Sequence, residues 1–88
     1  LEAVNLLEIH EAFAATILAC LDALELYEHD TRLNAWGGAL AVGAPMGMLG
    51  ANLAIRLVHR LQAQPNSRLA LGGLCVGMGQ GMALLLER

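Results

Sequence analysis

The chain has 88 residues, of which 57% are apolar before its 10 glycines are counted, and 15% carry a charge. Soluble domains hold about 45–50% apolar residues with glycine included and roughly 25% charged ones. A chain this short is at most one domain (1–88), and it cannot hide so much apolar surface in its own core. Five Lys and Arg against eight Asp and Glu give a net charge of −3. With no basic cluster and one Phe, one Trp and one Tyr, nucleic-acid binding is excluded. Low charge and high hydropathy exclude disorder.

Taken in chain order, Val4 to Ile9 is an apolar run of strand length. From Glu11 to Tyr27 strong helix formers follow without Gly or Pro, and the few polar residues (Thr16, Asp22, Glu25) predict a helix buried nearly all round. Glu28 to Arg32 reads as a loop. The run Gly37 to Gly43 is a second strand candidate, with glycines where another backbone can approach. Pro45 and Gly47 mark a turn into a helix from Met48 to Gln62. There Asn52, Arg56, His59 and Arg60 form a polar stripe over an apolar face. Gln64-Pro65-Asn66-Ser67 ends that helix. Arg68 to Val76 and Met82 to Glu87 read as two further strands joined by Gly77-Met78-Gly79-Gln80-Gly81. The order β-α-β-α-β-β predicts an α/β fold with a mixed sheet covered by helices.

Residues 33–55 and 69–86 contain no formal charge, which is long enough to raise a membrane reading. Pro45 and five glycines interrupt the first run, and Asn34 and Asn52 add cost, so no membrane insertion is expected. Cys20 and Cys75 stand far apart with no Cys-x-x-Cys, which fits free thiols in a reducing, cytoplasmic setting. No secretory signal is visible. The chain opens at Leu1 inside an apolar stretch without Met and reads as a segment of a longer polypeptide.

Three stretches hold nearly all the reactive groups. Glu8-Ile9-His10-Glu11 lies at a strand-to-helix junction, where His10 can aim a ring N–H into a cleft or serve only as a capping or packing residue. Gly43-Ala44-Pro45-Met46-Gly47 meets a helix N-terminus, a place that suits an oxyanion or is a plain turn. Cys75-Val76-Gly77-Met78-Gly79-Gln80-Gly81 ends a strand in alternating glycines. A buried lone Cys is commonly inert, but here a substrate can approach Cys75 while the Gly77 amide donates. The Gly-x-Gly-x-Gly is a poor dinucleotide motif, because a strand follows it and no acidic residue lies about 20 residues on. His29 and His59 lack metal-ligand spacing with any Cys or acid, and no metal site is expected.

Together and in this order, the stretches resemble the C-terminal half-domain of the thiolases. His10-Glu11-Ala12-Phe13-Ala14 looks like the family's Asn/His-Glu-Ala-Phe-Ala motif in the His form found in trifunctional-complex thiolases. Asn34-Ala35-Trp36-Gly37-Gly38 looks like its Asn-x-x-Gly-Gly strand, and Gly43 to Gly50 aligns with Gly-His-Pro-x-Gly-x-Ser-Gly. Cys75 to Gly81 aligns with Cys-x-Gly-x-Gly-x-Gly, so the resemblance spans essentially the whole chain. It implies acyl transfer between thiols: thiolysis of 3-oxoacyl-CoA, or the reverse Claisen condensation of acyl-CoAs. Coenzyme A thioesters are then the substrates and no separate cofactor is required. Cys75 matches the acid/base cysteine, His10 the residue lining the first oxyanion hole, and Gly77 the glycine whose N–H serves the second. The partners implied are acyl-CoA or CoA, the rest of a thiolase polypeptide or an N-terminal-domain chain, and further copies in a homo-oligomer.

The pattern also has departures. The acylated nucleophilic cysteine belongs to the family's N-terminal domain, and Cys20, placed inside the predicted buried helix, does not replace it. The histidine of Gly-His-Pro, which activates the nucleophile and donates to the enolate oxygen, is Ala44 here. Leu49 stands for the usual Ser/Thr, Asn52 for the usual Arg and Trp36 for a usual polar residue. Impaired catalysis is therefore expected at Ala44. The alternative is a thiolase-like subunit without chemistry, kept for CoA-ligand binding or for assembly.

Overall fold

The computed structural model describes residues 1–88 as β1 (Leu6–Ile9), α1 (Ala14–Ala23), α2 (Ala39–Val42), α3 (Leu49–Ala63), β2 (Leu69–Val76) and β3 (Gln80–Glu87). The strands form one mixed sheet in the order β1-β2-β3. β1 and β2 run parallel, with Leu6 opposite Ala70 and Ile9 opposite Gly73. β2 and β3 form an antiparallel hairpin, from Leu69 opposite Glu87 to Val76 opposite Gln80. The α/β class and the mixed sheet are as expected, and the last two strands differ from expectation only at their ends.

The strand expected over 37–43 does not form. Gly37 turns with φ +84°, Gly38 caps a short helix, and the Leu40 N–H donates to Glu11 Oε2 at 2.9 Å. A carboxylate 29 positions upstream thus satisfies a helix-terminal amide that a strand would have given to the sheet. The free edge of β1 is used earlier, at Leu33, through Leu7 N–H to Arg32 O (3.0 Å) and Asn34 N–H to Leu7 O (2.9 Å). The sheet has three strands rather than four, and the expected β-α-β-α-β-β order becomes β-α-α-α-β-β.

The first helix is shorter than the predicted 11–27. Phe13 is still extended at φ −146°, and Glu25 adopts a left-handed φ of +55° just past the end of α1. It is also less buried than expected. Only Ile17 and Leu21 are enclosed, while Phe13 and Leu18 stand 73% and 54% exposed.

α3 keeps the predicted apolar face toward the core, but part of its polar stripe turns inward as well, with only His59 of the four left exposed. Leu53, Leu57 and Leu61 pack with Leu6 and Ala70 in the core, and a Cβ on Gly72 would overlap Leu53. Arg60, expected in solvent, is fully buried, and Arg56 is half-buried. Ile55 and Val58 face outward at 56% and 43% exposure. The reason is Glu8 on β1, whose buried carboxylate draws both guanidinium groups inward.

The charge-free runs do not become membrane helices: residues 33–55 divide into turns, α2 and the start of α3, and 69–86 fold as a hairpin. No helix is long and apolar enough to cross a membrane. The surface is nonetheless large. At 5739 Å² it exceeds the roughly 5,000 Å² of a compact monomer of this mass. The radius of gyration, 12.2 Å, matches the ~12 Å of a compact chain, so the excess lies in open faces and grooves rather than in an extended tail.

Candidate functional site

The site is assembled where β1 and β2 end side by side. The His10 backbone N–H donates to Gly73 O at 2.8 Å, which carries the parallel ladder one residue past β1 and sets His10 beside β2. Cys75 follows on β2 opposite Gly81 and is exposed as a free thiol. Gly77 opens the turn into β3, where Met78 (φ +67°) and Gly79 (φ +74°) reverse the chain. His10 and Cys75 line one cavity of about 430 Å³, walled by Leu24, Leu71 and Met82 among others. Cys20 reaches the same cavity from α1 and is half-buried rather than enclosed in a helix core.

Of the expected site residues, the structure thus brings His10 and Cys75 to one cavity. Gly77 lines neither that space nor the second cavity, but lies two residues beyond Cys75 in the adjoining turn. Ala44 is exposed between Gly43 (φ +93°) and Pro45, ahead of α3. Its neighbour Gly43 lines the second, smaller cavity of about 40 Å³, together with Glu8, His10, Asn52 and Arg56. His10 is common to both cavities. No three His, Cys, Asp or Glu side chains gather to hold a metal ion.

Several residues that hold this site figure in the sequence only as members of a motif or of the α3 stripe, with no role assigned to them. Asn34 adopts φ +42° and closes the end of β1 like a clasp: Ile9 N–H donates to its Oδ1, and its Nδ2 donates to Ile9 O, each at 2.9 Å. Asn34 Nδ2 also donates to Glu11 Oε1 at 2.9 Å. Glu11 therefore joins the clasp to α2, and a Cβ on Gly38 would overlap its carboxylate. Below His10, Glu8 accepts from Arg60 Nη1 at 2.6 Å and from Arg56 Nε at 3.0 Å. Arg60 also donates to Leu7 O and Arg32 O, and Arg56 Nη2 to Gly37 O. The available signal was a carboxylate inside the apolar run of β1, since a charge on a half-buried strand needs a partner.

A separate clasp secures the chain before β1. Arg32 donates to both Asp30 carboxylate oxygens and to the Leu1 and Val4 carbonyls. The side-chain hydrogen bonds, then the Arg32 backbone N–H, hold the Asp30 carboxyl below its ordinary value, and the same contact raises Arg32. Neither residue lines the two cavities.

Residues 1–88 match the family model of the thiolase C-terminal domain. Over 88 residues the chain is 43% identical to a beta-ketoadipyl-CoA thiolase of Acinetobacter baylyi, covering all of this chain and 22% of the relative. It is 41% identical over 86 residues to a 3-ketoacyl-CoA thiolase of Cronobacter sakazakii, covering 97% of this chain and 22% of that one. The crystal structure of the Bacillus anthracis acetyl-CoA acetyltransferase superposes with a TM-score of 0.91 at 39% identity, over 99% of this chain and 21% of that chain. Human mitochondrial 3-ketoacyl-CoA thiolase in complex with CoA superposes at 0.89 and 36% identity, over 98% and 21%. The chain spans about one fifth of the length of these proteins.

Proposed function

Because the chain belongs to the thiolase family, as its C-terminal domain, we propose that the polypeptide carrying it transfers acyl groups between thiols, with 3-oxoacyl-CoA and acyl-CoA as substrates. The observation that supports this most is the placement of His10 and Cys75 on one cavity at the ends of two adjacent parallel strands. In the condensing direction the Cys75 thiolate removes a proton from the α-carbon of an acyl-CoA. The resulting enolate attacks the acyl group held as a thioester on the nucleophilic cysteine of the N-terminal domain. The acyl–sulfur bond breaks, the new carbon–carbon bond forms, and 3-oxoacyl-CoA leaves. Thiolysis runs the same steps backwards, with Cys75 returning the proton, and the acyl group left on the nucleophilic cysteine then passes to the thiol of a second CoA, freeing that cysteine.

His10, through its ring N–H or a held water, and the Gly77 amide stabilise the developing oxyanions. Fixed donors of this kind are effective because they need no reorganisation as charge forms. The rest of the polypeptide, or a separate N-terminal-domain chain, supplies the nucleophile, and assembly into a homo-oligomer covers part of the open surface. Free thiols at Cys20 and Cys75 fit a cytoplasmic protein.

Ala44 favours a second reading, because a methyl group neither activates a thiol nor donates a hydrogen bond. A thiolase-like subunit that binds a CoA ligand or assembles with an active partner, without chemistry of its own, fits that residue. Steady-state CoA-dependent cleavage of acetoacetyl-CoA by the full-length protein separates the two. Turnover that Cys75→Ala abolishes supports the enzyme. CoA binding without turnover supports the subunit.

A further inference from the structure

Glu8 has two guanidinium partners with different reach. Arg60 joins Glu8 to Leu7 O and Arg32 O, all on β1 or the chain beside it, and so fastens α3 to the sheet. Arg56 instead spans two parts of the site. Its Nε meets Glu8 Oε2 at 3.0 Å, and its Nη2 donates to the carbonyl of Gly37, inside the turn that precedes α2. Gly38, the next residue, caps α2 against the Glu11 carboxylate, and α2 leads through Gly43 directly to Ala44. On the other side, Glu8 and His10 are two apart at the end of β1, on the same face of the strand. Both line the 40 Å³ cavity with Arg56 and with Asn52, one helical turn before Arg56 on α3.

We propose that Arg56 is a positioning residue for the acyl-transfer site: by bonding Glu8 and the Gly37 carbonyl together, it sets the strand end bearing His10 against the 37–43 segment that delivers Ala44. A planar guanidinium suits this bridge because it offers several donors in a fixed fork, whereas an ammonium is a single point charge. Asn52, where the family pattern carries an arginine, is too short to span the same two acceptors. Arg56 supplies the guanidinium from one turn further along. The role rests on the reading of the protein as a thiolase-type acyltransferase.

The test uses the full-length protein and reads two quantities, thiolysis of acetoacetyl-CoA and hydrogen exchange of the 38–42 amides. Arg56→Ala should lower kcat by about 10–100-fold, the scale on which small misplacements act, while KM for CoA stays within about threefold. Exchange at Leu40 and its neighbours should accelerate in the same variant. Arg56→Lys should keep the fold and recover only part of kcat. Restoring a guanidinium one turn earlier, in the double variant N52R/R56A, should recover both kcat and slow exchange. Unchanged kcat in Arg56→Ala overturns the proposal, and so does a kcat loss with exchange at 38–42 unaltered. If the wild type cleaves no CoA thioester, the acyl-transfer reading fails on its own, and exchange alone decides whether Arg56 holds the segment.

Discussion

Glu8 and Arg60 meet at 2.6 Å between β1 and α3, both almost wholly enclosed. Removing Arg60 leaves the buried Glu8 carboxylate with Arg56 alone, at 3.0 Å, whereas neutralising Glu8 leaves both arginines without a counter-charge. Arg60→Leu in the full-length protein should therefore destabilise the domain by about 3 kcal/mol, the lower end of the cost of breaking a buried pair, because Arg56 still faces Glu8. It also removes the second of two donors from the Leu7 and Arg32 carbonyls, which keep their backbone partners. Glu8→Gln should cost a similar amount, because two guanidinium groups would then face a neutral amide. Denaturant unfolding of each variant checks this, and a loss below about 1 kcal/mol would place the pair among ordinary surface ion pairs.

Gly72→Ala should destabilise by about 1–3 kcal/mol, the usual cost of overpacking a closed core. The added methyl meets Leu53 first, with Leu57 Cδ1 at 2.9 Å behind it. Gly73→Ala, one residue on with open space at its Cβ, is the control and should change little. The comparison is made by thermal unfolding of both variants in parallel.

The Asp30–Arg32 clasp predicts a pH dependence. The Asp30 carboxyl titrates below its ordinary 3.8 in the folded protein because Arg32 favours its charged form. A lowered folded-state value contributes stability that is fully present above the unfolded value and is lost as pH falls through the folded one. Asp30→Asn should therefore lower the melting temperature at neutral pH, and the gap to wild type should close as pH drops below 3.8. A gap that widens in acid would contradict the clasp.

Ala44→His, in the full-length protein, should raise thiolysis of acetoacetyl-CoA by at least about 10²-fold, the usual effect of one oxyanion donor or general base. Ala44 is exposed ahead of α3, with no Cβ contact at the neighbouring Gly43 to block a ring. Cys75→Ala should then abolish the gain, since the α-carbon proton would have no acid/base. Slower turnover in Ala44→His than in wild type would show that another group, such as His10, carries that role.

Cut out as residues 1–88, the domain should self-associate rather than behave as a sharp 9.3 kDa monomer. Twelve of 88 residues are buried, and Ile55 and Val58 on α3 and Phe13 and Leu18 at α1 lie open. Patches beyond a few hundred Å² ordinarily mark interaction surfaces. Size-exclusion with light scattering gives the answer.

The sequence disclosed the parts that local pattern governs. The apolar run of β1, the 3.6-residue repeat of α3 and the glycines between β2 and β3 each announce their element, and the motif order brought His10 and Cys75 forward together. What stayed hidden depends on partners far along the chain. Leu40 turns helical because Glu11 caps it, a contact 29 residues long. Two members of the α3 stripe turn inward because Arg56 and Arg60 find Glu8, 48 and 52 residues away, while His59 stays exposed. Polarity alone assigned those arginines to solvent, and no periodicity could reveal one buried carboxylate waiting for both.

That separation also bears on how the chain is made. Leu6 pairs with Ala70, so β1 leaves the ribosome with its neighbour in the sheet still some 60 residues from synthesis. Long-range parallel pairing is slow to close, and an apolar strand left waiting is prone to stick to other chains. Within Leu6-Leu7-Glu8-Ile9 the single charge interrupts that hazard, as gatekeeping charges do in exposed apolar segments. Glu8 would guard the nascent strand as a solvated anion first. Only when α3 arrives with Arg56 and Arg60 does it become the buried anchor seen in the finished fold.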